Sequence, residues 1–79
     1  MTQQEAIQKA KEHKSLEGRE CTRKSSKRTY LIKGIAANID EAKGGFNVYC
    51  TFNEISSAGT IGRPIIEELN TFFALYTPV

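Results

Sequence analysis

"RPIIEELNTFFALYTP", residues 63–78, decides how the chain is put together. Ile65, Ile66, Leu69, Phe72, Phe73 and Tyr76 recur at helical spacing and predict a helix with a broad apolar face. Pro64 suits the first turn of such a helix. Glu67 and Glu68 lie near its positive N-terminal end, and Pro78 stops it. The apolar and aromatic residues from Leu69 to Tyr76 are expected to dominate the core, since each large side chain contributes about 1.5–3 kcal/mol on burial.

Immediately upstream, residues 46–53 read FNVYCTFN. Phe46, Val48, Cys50 and Phe52 alternate with Asn47, Tyr49, Thr51 and Asn53, the pattern of a half-buried strand. Residues 54–63 form a loop with Gly59 and Gly62, carrying Ile55, Ile61 and Arg63 as a candidate partner patch. Residues 36–45, AANIDEAKGG, read as a polar connection closed by two glycines. The segment from Arg28 to Ile35 is rich in Thr, Tyr, Leu and Ile and predicts another strand, apolar on both faces. A shorter strand is expected near Arg19–Ser25, with a turn at Ser25, Ser26 and Lys27. At the N-terminus, Met1 to about Lys14 predicts a helix, because Thr2 and Glu5 fit a capping box. Gly18 then stops it.

The expected fold is therefore α+β, a single small domain over 1–79: a three-stranded antiparallel sheet flanked by an N-terminal and a C-terminal helix, α-β-β-β-α. In this order of elements it resembles double-stranded-RNA-binding domains. That family opens its second helix with a lysine-rich segment that grips phosphates. Here the corresponding stretch, Arg63-Pro64-Ile65-Ile66-Glu67-Glu68, has one base against two acids, so the likeness does not extend to the residues that would carry the function.

Charge is unevenly distributed. Residues 1–40 hold nine of the eleven Lys and Arg against five acids, and residues 41–79 hold two against four. Arg19, Arg23, Lys24, Lys27, Arg28 and Lys33 crowd into fifteen residues with Glu20 alone opposing them. A ribbon with such a basic tip suits phosphates, and Tyr30, if exposed, could stack on a base. The expected function is a non-enzymatic binding or regulatory protein whose basic ribbon docks on a polyanion, meaning nucleic acid, alone or within a nucleoprotein complex. Lysines also guard the edges of sheets, and that reading competes for the same residues. The alternative function is an inhibitor or adaptor that meets a protein partner through surface complementarity, an acidic surface or a second copy of the chain among them.

Catalysis is not expected. His13 is the only histidine and lies on the polar side of its helix, and Cys50 belongs to the core-facing row. Three Cys and His in all fall short of the four ligands of a structural zinc site, so neither metal nor cofactor is expected. Cys21 and Cys50 are too few for a secreted disulfide scaffold. No apolar run reaches the ~20 residues of a membrane span, and the polar N-terminus does not read as a secretory leader. These features place the expected compartment in the cytoplasm.

Overall fold

A computed structural model describes residues 1–79. The N-terminal helix, α1, runs Gln3–Glu12 and carries the anticipated capping box: the Thr2 hydroxyl accepts from Glu5 N–H, and the Glu5 carboxylate accepts from Thr2 N–H. A single 3₁₀ turn, Lys14–Leu16, leads to β1, Glu20–Arg23. Then come β2, Thr29–Asp40; β3, Gly45–Ile55; β4, Ile61–Glu68; α2, Leu69–Leu75; and β5, Tyr76–Pro78. All strands pair antiparallel in one sheet ordered β4-β3-β2-β1-β5.

The fold is α+β as expected, but the sheet has five strands and not three. The double-stranded-RNA-binding order is lost with it. The extra strands come from the 63–78 stretch. Residues 61–68 pair with β3, and the helix begins only at Leu69, capped by the Glu68 carboxylate on Thr71 N–H at 3.0 Å. Ile65 and Ile66 are β-branched and favour strands. They also sit beside an otherwise unpaired edge of β3, so hydrogen bonding to β3 outweighs the helical spacing. Tyr76 leaves the helix to start β5, which pairs with β1.

The second correction concerns residues 36–40, which continue β2 rather than forming a connection. Ile32 pairs with Phe52, yet Gly34 pairs with Thr51, leaving Lys33 as an extra residue in a β-bulge. The bulge shifts the side-chain phase by one, so that Tyr30, Ile32 and Ile35 are all buried. A turn at residues 41–44, with Gly44 at φ +70°, then returns the chain to β3.

Both helices pack on one face of the sheet. Ala6 and Ala10 of α1 and Leu69 and Phe72 of α2 join Cys21, Tyr30, Ile32, Ile35, Val48, Cys50, Phe52 and Tyr76 in one cluster. Phe52 lies at its centre, with its ring 4.7–5.6 Å from those of Tyr76, Phe72 and Tyr30. Phe52→Ala is therefore expected to cost about 3–5 kcal/mol in urea unfolding. Ile66→Ala, on the opposite face and 65% exposed, is expected to change stability by less than about 0.5 kcal/mol; equal losses would contradict this assignment of faces.

Candidate functional site

The basic segment sits around the β1–β2 hairpin, and most of its charges are engaged by the protein itself. The Arg23 guanidinium donates to the Tyr76 hydroxyl at 2.8 Å and to the Ser25 hydroxyl at 3.2 Å, and lies 5.4 Å from the Tyr76 ring centre. Lys24 Nζ donates to the Phe73 carbonyl at 3.1 Å, near the negative end of α2. Arg19 donates to the Val79 carbonyl. Arg28 pairs with Glu54 at 3.1 Å. The contacts of Arg19, Arg23 and Lys24 fasten Phe73, Tyr76 and Val79 to β1 and its flanks, while that of Arg28 reaches β3. Lys27, in the turn at φ +61°, and Lys33, in the bulge, are exposed.

Tyr30 does not accompany them. It is buried, edge-to-face with Tyr76 at 5.1 Å, so it offers no stacking surface. Its position two residues before Ile32 on the core row places it there.

The partner patch is better assembled. Ile55 and Ile61 are register partners across the β3–β4 hairpin, and Thr51 and Ile66 are partners farther along it. Because strand side chains alternate, Ile55, Thr51 and Tyr49 share one face of β3, the face away from both helices. Leu31, opposite Asn53, joins them. Arg63 is exposed on β4 beside the residue that opposes Asn53, at the β4 bulge, where Asn53 Nδ2 donates to the Gly62 carbonyl at 2.9 Å. Tyr49, Leu31 and Ile66 carry no charge to single them out in the sequence; for Tyr49 the signal was its alternation with the core row of β3, whereas Leu31 and Ile66 join it only through the pairing of β2 and β4 with β3.

On this open face a groove of about 350 Å³ lies over Gly34 and Ala36. Tyr49 and Ile66 line it on one side, Lys14 and Glu17 on the other. The Glu17 carboxylate accepts from Ile35 N–H at 2.8 Å and from Lys14 Nζ at 3.2 Å. The backbone N–H first, and the lysine second, hold its pKa below the ordinary 4.5.

The remaining candidates are occupied in packing. His13 Nδ1 lies 2.8 Å from the Lys9 carbonyl, and its ring rests 5.5 Å from that of Phe73. Cys21 and Cys50 are free and buried, on strands separated by β2. Strands are about 4.8 Å apart, so the two thiols are beyond the reach of a disulfide without rearrangement. Burial pushes the Cys21 thiol up to about 11 and the Cys50 thiol up to about 12, which leaves no thiolate nucleophile at neutral pH. No group of three or more His, Cys, Asp or Glu side chains is placed to hold a metal ion, and no helix is long and apolar enough to cross a membrane.

Glu17 supplies a pH test. A carboxylate whose folded pKa is depressed adds stability above its unfolded value, and that stability is lost as pH falls through the folded pKa. Wild-type protein is expected to lose more stability than Glu17→Gln on acidification from pH 5 to below 4.5, read by urea midpoints. Parallel losses would mean that Glu17 does not anchor the bulge.

Compared with family models, with curated proteins and with solved structures, the chain matches none.

Proposed function

We propose that this chain is a non-enzymatic binding protein that receives a protein partner on the uncovered face of its sheet. The supporting observation is the chemistry of that face. Antiparallel sheets with one solvated side alternate apolar inside with polar outside, yet Leu31, Tyr49, Ile55, Ile61 and Ile66 all stand on the side that neither helix covers. Ile61 and Ile66 are 54% and 65% exposed. Clustered exposed apolar residues are the usual mark of a partner surface. The cations favour this reading indirectly, because Arg19, Arg23, Lys24 and Arg28 already bond within the protein.

The test is a double variant, Ile61→Lys with Ile66→Lys, at positions whose exposure keeps the folding cost small. Wild-type bait in a lysate of the native host is expected to retain one stoichiometric protein that the variant loses. A companion held equally by both, or none held by the wild type, would overturn the proposal.

Docking on nucleic acid is a second reading, supported by the exposure of Lys27 and Lys33 outside the internal bonds that occupy their neighbours. If those two meet phosphates, log affinity for duplex DNA should fall against log salt with a slope of about −1.8. A flat slope, or no binding at low salt, would remove it.

A further inference from the structure

We infer that the bare edge of β2, residues 36–40, docks an extended segment of the partner protein, which joins the sheet as an added strand. This rests on the protein-partner reading and fixes where the partner lies and in what conformation.

β1 pairs only with Thr29–Leu31, whereas β2 continues to Asp40. Past the bulge, the Ile35 N–H turns away from β3 to the Glu17 carboxylate, and the Ile39 N–H goes to the Asn38 side chain at 2.8 Å. Ala37 lies midway between them, so the period of two turns its N–H and carbonyl to the same outer side. A backbone donor and acceptor side by side in an extended strand are matched best by another strand.

The other edges are guarded. β4 carries Pro64 and a bulge, and β5 has three residues and ends at Pro78. The edge of β3 beyond β4 is closed by Met1, whose carbonyl accepts from Phe46 N–H at 3.0 Å and whose amino group donates to the Phe46 carbonyl. Within 36–40 there is no proline, lysine or bulge, three of the devices that blunt an exposed edge, and the one charge, Asp40, stands at its far end.

A strand added here places alternate side chains on the open face, beside Ala36. The groove of about 350 Å³ lies there, floored by Gly34 and Ala36, with room for a large apolar side chain. Added strands gain affinity from main-chain bonds and specificity from such pockets. At one end of the edge Lys33 stands with the Lys14–Glu17 pair that occupies the Ile35 N–H, and at the other lie Asp40 and Glu41 without a nearby lysine pair, which selects a partner strand that is basic toward Asp40. A second copy fits less well: its own edge would present Ala36, Asn38 and Asp40, too small or polar to fill the groove.

The probe is a random heptapeptide library displayed on phage and panned on the whole chain, followed by NMR titration with the enriched peptide. Enriched peptides are expected to alternate around a large apolar residue, to shift the amides of residues 36–40 and to slow hydrogen exchange at Ala37. Ala37→Pro removes the donor, and Ala36→Tyr fills the groove at an exposed site. Each should weaken binding by roughly tenfold or more, while Lys11→Ala, exposed on α1 behind the other face of the sheet, should not. No enrichment, shifts confined to other elements, or indifference to both variants would overturn the inference. So would a dimer in sedimentation that Ala37→Pro returns to monomer, since the occupant would then be a second copy. Failure here with partner capture still dependent on Ile61 and Ile66 fells this inference alone; failure of both fells the protein-partner reading too.

Discussion

One extra residue sets the geometry on which the rest of the molecule depends. Ile32 N–H bonds to the Arg19 carbonyl and Ile35 N–H to Glu17, so two amides three residues apart leave β2 on the same side. A regular strand cannot do this, because its side chains and amides alternate. The bulge at Lys33 absorbs the odd residue. It lets a strand of twelve residues keep Tyr30, Ile32 and Ile35 in one core. It also turns Gly34 and Ala36 outward, where their lack of bulk makes the groove.

The cations follow from a different constraint. A strand as short as β5 gains little from its ladder, and side chains hold what the backbone does not. Arg19, Arg23 and Lys24 each reach residues in 73–79. The basic stretch therefore clamps the C-terminal end of the chain onto β1. Hydrogen bonds from charged donors contribute about 1.5–3 kcal/mol where they are well formed, though exposure lowers that value here. Positive charge gathered in sequence thus says as much about where the chain ends pack as about any anion outside.

Much of this was legible in the residues, and the failures have physical causes. The capping box of Thr2 and Glu5 marks α1 because the motif is local and satisfies its own donors. The alternation of Phe46 to Phe52 marks β3 because both of its neighbours lie in the sheet and leave its period undisturbed. From Leu69 onward the helical stripe is genuine, with Leu69 and Phe72 buried. Ile65 and Ile66 extend that stripe by coincidence of spacing, and only the need to pair β3 reveals them as strand. Residues 36–40 were hidden by the bulge, since a one-residue phase shift makes a continuous strand look like two unrelated patterns. The placing of Tyr30 turned on the same phase: it belongs to the core row, and the aromatic on the open face is Tyr49, among the residues that alternate with the core row of β3. Ile55 and Ile61 could be singled out from the sequence, but their joining Ile66 on one face depends on a hairpin register that no local pattern encodes.

A small domain that leaves one sheet face open has few means of compensating. Only 13 of the 79 residues are buried, and chains of this size bury about 60% of the surface their unfolded forms expose. The core is concentrated on one side, around Phe52, and cannot draw on the apolar residues of the other. On the proposed reading that imbalance couples folding to binding. A partner that covers Leu31, Tyr49 and Ile66 binds the folded chain and not the unfolded one, so it stabilises by mass action, by about 2.7 kcal/mol when its concentration is a hundred times Kd. For a domain whose total stability is of order 5–15 kcal/mol, that is a large share. The bulge contributes to both sides of this balance: it completes the core behind the sheet and, by turning small residues forward, shapes the surface on which the partner rests.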